Sequence, residues 1–376
     1  MAKTINQRPQ ARQAPSSQQQ TTGRPDSEKK ELPIGEDGEI SLVCYLLCEK
    51  RLKPAEIAEE IRERFQMTER EYSRERPYKM INKAAERGWL RFRGQQAIET
   101  EFAFKTRFDF LHGVRVIRSA VHQDIAQHTA RVLFDLARDY TDRGIVRVGV
   151  AGGHLLRYVF RRFADLIQEA PHGLPQQIVL HSLVAGFSDD PTADPNSYFQ
   201  FFRTDKLPST VQVRSVPLHA PGFVPAEKFA ELRALPIIKD AFAEAAKIDI
   251  FISSAGGCFN EGHSMLCKMF EKMQDQSLVL CQKAQVIGDL MWRPFSKEEL
   301  DIYTDSRAMT LFDLSHMPKL VGQGKKFILA IAPCGFRNCA KHKGEVLRAI
   351  LAHSQRKGLI THLVADYRSA KAALET

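Results

Sequence analysis

Hydrophobic positions change their period twice along this chain. From Ile40 to Phe65 they recur every three or four residues: Ile40, Val43, Leu46 and Leu47, then Ile57, Ala58, Ile61 and Phe65 after Pro54. That spacing predicts two helices, the second opened by a proline whose missing N–H is no loss at a first helical position. A third helix is predicted from about Pro77, with Tyr78, Ile81, Ala84 and Ala85 inward, Lys79, Lys83 and Arg87 outward, and Gly88 at its end. Trp89 to Phe92 and Ala97 to Phe104 alternate around Arg-Gly-Gln-Gln and read as a short β-hairpin.

Beyond Phe108 short apolar blocks alternate with helical repeats. The blocks are GVRVIRS, IVRVGV, QIVLHSLVAGF, VQVRSVPLHA, IDIFISSAGG, KFILAIAPCG and LITHLVADY. Helical repeats lie near 125–140, 155–163, 238–246, 264–273 and 343–353, with a short one at the C-terminus. Such alternation predicts a parallel α/β sheet covered by helices. Its central stretch is Ile145 to Phe163, a strand that stops at Gly152-Gly153 before Leu155, Leu156, Val159, Phe160 and Phe163 repeat at helical spacing. A glycine turn before a helix start is a place for an anion, because the first N–H groups of a helix lack partners. The turn is neither a G-x-G-x-x-G fingerprint nor a P-loop.

Composition adds three constraints. Residues up to about Pro33 are rich in Gln, Ser, Thr, Pro and basic side chains and nearly free of aliphatics, so 1–35 is expected to be a disordered tail. No apolar run approaches the roughly 18 residues of a membrane span, and the polar N-terminus has no signal region. Seven cysteines, an odd number in apolar surroundings, suit a reducing compartment, so a cytoplasmic protein is expected. The net charge of +9 is concentrated: Arg70 to Arg93 holds eight Lys/Arg against three Glu. A basic third helix followed by a hairpin describes a winged helix-turn-helix, with Arg74, Arg76, Lys79, Lys83 and Arg87 placed for DNA and Arg91 and Arg93 for backbone contacts from the wing. The expected organisation is a winged helix-turn-helix at 36–105 and a Rossmann-like parallel α/β domain at 106–376 that binds an effector and oligomerises.

From about Ile40 to Leu374 the chain resembles the SorC family of bacterial transcriptional regulators. The matching stretches are SRERPYKMINKAAERGWLRF, VRVGVAGG, IDIFISSAGG, VIGDLMWRPF, KKFILAIAPCG, KGEVLRAIL and KGLITHLVADYRSAKAAL, in that order. The resemblance implies an effector domain folded like the sugar-phosphate isomerases, with a sugar or sugar phosphate held at the strand ends. By matched position, Gly152 and Gly153 would cradle a phosphate or hydroxyl through backbone amides, and Gly256 and Gly257 would bring a second loop to the same ligand. Asp289 would accept hydroxyls, Lys343 would supply a positive charge and Asp366 would close the last strand end. His154 follows the first glycines where the family commonly has a hydroxyl residue, and FRNCAKH extends the loop before Lys343.

The resemblance therefore implies double-stranded operator DNA, a small effector and a homodimer or homotetramer as partners, with no cofactor and no membrane. Cys334, Cys339 and His342, and Cys258, His263 and Cys267, are spaced loosely like zinc ligands, but neither group has a fourth ligand nearby, and no metal is expected. Two other readings stay open: a sugar-phosphate isomerase-like enzyme, and a ligand sensor acting on a protein partner.

Overall fold

In a computed structural model, residues 31–87, 89–90, 94–186, 190–203, 207–257, 264–272, 276–335, 339 and 341–375 are described. The chain divides after position 92 into two compact units.

The first unit is built from helices α1 (Gly35–Cys48), α2 (Pro54–Phe65) and α3 (Arg76–Glu86). Pro54 stands at the first position of α2, and Gln66 ends that helix in the left-handed region at φ 51°. Ile40, Val43 and Leu46 pack with Ile57, Ala58 and Ile61 and with Met80 and Ala84, together with the fully buried ring of Tyr72. The buried row of α3 is Pro77, Met80 and Ala84, with Ile81 partly buried against the same core; Ala84 and Ile81 are inward as expected, whereas Tyr78 and Ala85 face solvent.

The expected wing needs correction. Residues 91–93 lie outside the described ones, but Ala97 to Phe104 is not a strand. Gln95–Gln96 (β1) is a two-residue strand, and Ile98–Arg107 (α4) is a helix of the second unit. Its Glu101 carboxylate accepts the Val116 amide at 2.9 Å and pairs with Arg115. That bond and the buried Ala97 and Phe104 tie the segment to the core of the second unit.

The second unit continues through β2 (Gly113–Arg118), α5 (His122–Arg138), β3 (Ile145–Val150), α6 (His154–Glu169), β4 (Gln177–Ser182), α7 (Pro195–Tyr198) and β5 (Gln212–Val216). Then come β6 (Phe223–Pro225), α8 (Phe229–Ala234), α9 (Pro236–Ala245), β7 (Ile250–Gly257), α10 (Met265–Lys272) and α11 (Ser277–Lys283). The hairpin β8 (Gly288–Leu290) and β9 (Arg293–Phe295) follows, then β10 (Ser306–Ala308), α12 (Met317–Gly322), β11 (Lys326–Ile331), α13 (Gly344–Lys357), β12 (His362–Asp366) and α14 (Tyr367–Leu374). The sheet order is β1-β2-β12-β11-β7-β3-β4-β5. All neighbours from β2 to β5 are parallel, so the predicted α/β class holds.

The order reverses beside β3. The chain runs outward from β3 to β4 and β5, then returns to β7 on the other side of β3. Right-handed crossovers place the helices of the two directions on opposite faces, so the carboxyl ends of β3 and β7 flank a crevice that no crossover helix fills. The β8–β9 hairpin extends β7 into this region, with Asp289 registered opposite Gly256.

Two strand histidines are sealed into the core. His181 in β4 is fully buried, and neither ring nitrogen has a hydrogen-bond partner among the described residues. Burial pushes its pKa down to about 4, against the opposing charge of Glu244. His362 in β12 is likewise depressed to about 4 by burial, with His112 and Lys326 adding to the effect. Above pH ~6.5 both rings are neutral in the folded and unfolded chain. Between there and about 4 only the unfolded chain takes up the protons, so stability falls with falling pH by roughly 3 kcal/mol per histidine at most. Urea midpoints should therefore drop steadily from pH 7 to pH 4, and His181→Leu, which gives up no hydrogen bond, should flatten that slope. An equal slope in the variant would refute the assignment.

Candidate functional site

The crevice at the reversal point is a cleft of about 190 Å³. Its walls come from the loop after β3, the end of β7, the tip of the β8–β9 hairpin, the starts of α5, α6 and α13, the segment after β11, and residues 264, 265 and 268. It is smaller than the ~300–1,000 Å³ of drug-sized pockets, so its size suits a compact polar molecule better than a dinucleotide. Seven of the eight residues expected to hold the effector line it: Gly152, Gly153, His154, Gly256, Gly257, Asp289 and Lys343.

The glycines do more specific work than cradling. A Cβ at Gly152 would overlap the Trp292 indole, and Gly153 sits at φ 129°, ψ 149°, a conformation essentially restricted to glycine. The Gly153 amide is already committed, lying 2.9 Å from the Ala193 carbonyl and 3.0 Å from the Tyr198 hydroxyl. The amides of Leu156 and Arg157 donate to the Gly153 carbonyl at 3.0 and 3.3 Å. The expected cradle thus shifts by one residue: the amides of His154 and Leu155, in the first turn of α6, are the ones the helix itself leaves without an acceptor. Gly256 has a different reason to be glycine, since a Cβ there would overlap the Asp289 carboxylate.

Asp289 is buried, and Ser264 Oγ donates to its Oδ2 at 2.8 Å. Burial pushes its pKa up, while the Ser264 hydrogen bond and the charge of Lys343 pull the other way. Lys343 caps α13, and its Nζ donates to the Ala255 carbonyl at 2.7 Å. One end of the cleft therefore joins a carboxylate to an ammonium across the last residues of β7. His154 Nε2 lies 2.6 Å from Asp190 Oδ2. Burial raises the Asp190 pKa, but hydrogen bonds from Thr192 and His154 outweigh this and hold the carboxyl below its usual range.

Asp366 is a correction. It is fully buried, and its Oδ1 accepts the Ser369 amide at 2.9 Å as the cap of α14; it is not among the cleft-lining residues.

Among the cleft residues that the sequence reading did not assign, His122, Met291 and Trp292 stand out. His122, first in α5, lies with Nε2 2.8 Å from the Pro333 carbonyl. That bond requires a proton on Nε2, which leaves Nδ1 of the neutral ring as an acceptor. Burial pushes its pKa down despite the Pro333 bond, and Lys343 and His154 push it the same way. Met291 and Trp292 form the two-residue turn of the β8–β9 hairpin with φ 52° and 57°. Left-handed backbone at two buried non-glycine residues costs on the order of 1–3 kcal/mol each. The faint signals were His122 after a strand end and Met-Trp within GDLMWRPF.

On the helix-turn-helix, Arg74 and Lys79 are exposed, with Arg74 near Glu69 at 3.3 Å. Arg76 leaves the DNA-facing set. Its guanidinium makes two 2.8 Å hydrogen bonds to the buried Glu39 and stacks 4.9 Å from the Tyr72 ring centroid, joining α3 to α1. Lys83 pairs with Glu36, and Arg87 with Glu36 and Asp37, all on α1. Arg91 and Arg93 lie outside the described residues. So do Cys258 and His263, and among the described residues no group of three or more His, Cys, Asp and Glu side chains is placed to hold a metal ion. Among those residues no helix is long and apolar enough to cross a membrane.

The helix-turn-helix followed by a parallel α/β unit is similar in fold to solved structures of SorC- and DeoR-type transcriptional regulators. The full-length sorbitol operon regulator SorC from Klebsiella pneumoniae is similar, with TM-score 0.57 and 15% identity over 90% of this chain and 98% of that one. A DeoR family transcriptional regulator from Listeria monocytogenes gives 0.51 and 16% over 73% and 98%. A domain of a possible sugar-binding transcriptional regulator from Arthrobacter aurescens TC1 gives 0.53 and 17% over 74% and 97%. No protein-family model and no curated protein matches the sequence.

The packing of Gly152 on Trp292 can be read optically. With two tryptophans in the chain, Trp89→Phe leaves Trp292 as the sole indole reporter. In that background Gly152→Ala should shift the emission to longer wavelength and destabilise the second unit by roughly 1–3 kcal/mol. An unmoved spectrum with unchanged melting would contradict the contact.

Proposed function

We propose that this protein is a sequence-specific DNA-binding transcriptional regulator, without catalytic activity, whose operator affinity is set by a small polar effector bound in the cleft. The observation that carries the reading is the convergence of two glycine loops, Asp289 and Lys343 at the sheet's reversal point, in a chain that also holds a helix-turn-helix unit.

The chemistry favours a polyhydroxylated ligand carrying an anion. Asp289 and neutral His122 offer acceptors for hydroxyls, while Lys343 and the first amides of α6 offer positive potential. A sugar or sugar phosphate fits that set, and one of the similar structures is titled as a domain of a possible sugar-binding regulator. Asp289 is the one carboxylate among the described residues that line the cleft, and the attached helix-turn-helix unit has no use in a free isomerase, which favours binding over turnover. The protein acts in the cytoplasm as a homodimer or homotetramer, the symmetric arrangement that reads repeated half-sites. The effector regulates by binding two states of the protein with different affinity.

The test is to recover genomic DNA fragments on the full-length protein, with and without a pool of sugars and sugar phosphates. A recurring palindromic site whose recovery changes with the pool is expected; salt-sensitive, sequence-blind binding would reject the reading. Lys343→Met keeps the aliphatic stem and removes the ammonium. It should weaken the effector response at least about tenfold while leaving effector-free operator affinity unchanged, and an unaltered titration would remove Lys343 from the site.

A further inference from the structure

Helix α3 turns a different face outward from the one its basic stripe suggests. Pro77, Met80 and Ala84 are buried. At about 100° per residue, the direction opposite that row is held by Asn82, with the exposed Lys79 and Glu86 on one side of it and the exposed Tyr78 and Ala85 on the other. Tyr78 is 56% exposed, an unusual state for so large an apolar surface on a helix that buries its neighbours. Lys83 and Arg87 are rotated toward α1, where Glu36 and Asp37 take their charge.

The outward centre of α3 thus holds a carboxamide with two apolar surfaces along one side and the opposite charges of Lys79 and Glu86 along the other. A carboxamide offers one donor and one acceptor side by side, the pattern that matches adenine N6 and N7 in a major groove, while apolar groups match a thymine methyl. We propose that Asn82 selects an A·T pair in each operator half-site, with Tyr78 and Ala85 packing against neighbouring thymine methyls. This rests on the DNA-binding reading above. Within that reading it moves base recognition from Lys83 and Arg87 to residues that carry no charge.

The experiment is selection from a randomised duplex library with the full-length wild type, Asn82→Ala, Asn82→Arg and Tyr78→Ala. The wild type should return a site with one fixed A·T pair per half-site. Asn82→Ala should bind that site about 10- to 100-fold more weakly, lose the preference at that pair, and keep its affinity for unrelated DNA. Asn82→Arg should change the selected base from adenine to guanine, since Arg matches guanine O6 and N7. Tyr78→Ala should relax selection at the adjacent pair. Unchanged sites and affinities in both Asn82 variants would overturn the assignment while leaving the protein a DNA-binding regulator. A wild type that returns no recurring site would overturn the DNA-binding reading itself, and the inference with it.

Discussion

The second unit depends on one constraint: a parallel sheet whose chain reverses direction must leave a gap beside the strand where it reverses. Here that strand is β3, with β4 on one side and β7 on the other. All the parallel strands end at one edge, and the crossover helices leave β3 and β7 on opposite faces. The chain at this edge has to make its turns within reach of the gap without filling it. That explains glycine at 152, where an indole presses on the backbone, and at 153, where φ is 129°. It also explains why the hairpin matters: β8, backed by β9, pairs with the end of β7 and brings Asp289 opposite Gly256, where a side chain on the partner would exclude it.

Holding a carboxylate there is costly, because an isolated buried charge loses its hydration. Ser264 Oγ supplies a hydrogen bond and Lys343 a compensating charge, and Lys343 is itself fixed by the Ala255 carbonyl. These groups belong to the strand end, the loop edge and a helix start far apart in sequence. The strained turn at Met291 and Trp292 fits the same logic. Backbone in the left-handed region persists only where its surroundings over-determine it, and both side chains are buried at the cleft.

Much of this was legible. The apolar blocks marked all seven parallel strands, because a strand covered on both faces reads as a continuous apolar run, and seven of the eight expected effector residues line one cleft. The misreadings have physical causes. Ile98 to Phe104 alternates like a strand, yet Ile98 and Phe102 are both 71% exposed on a helix, and Glu101 is the residue that holds it through the Val116 amide. Period alone cannot show that a carboxylate is the buried anchor. Arg76 looked like a phosphate contact because its partner Glu39 lies 37 residues earlier, a pairing that only the fold creates. At Asp366 the local pattern was available: an aspartate followed three residues later by Ser369 at a helix start caps that helix.

The helix-turn-helix shows how far net charge can mislead. Of the cations counted on α3, Arg76 is spent on Glu39, and Lys83 and Arg87 sit against Glu36 and Asp37. Exposed pairs of this kind stabilise little, and a polyanion can displace them, but the α1 carboxylates then remain to oppose its charge. Among the described residues of this unit, Arg70, Arg74 and Lys79 are exposed, with Arg74 near Glu69. The described cations of α3 therefore leave less net positive charge than their number suggests. Under the reading proposed above, base-edge contacts on α3 fall to the groups that the buried row of Pro77, Met80 and Ala84 turns toward solvent, Asn82 and Tyr78 with Lys79 and Glu86 beside them.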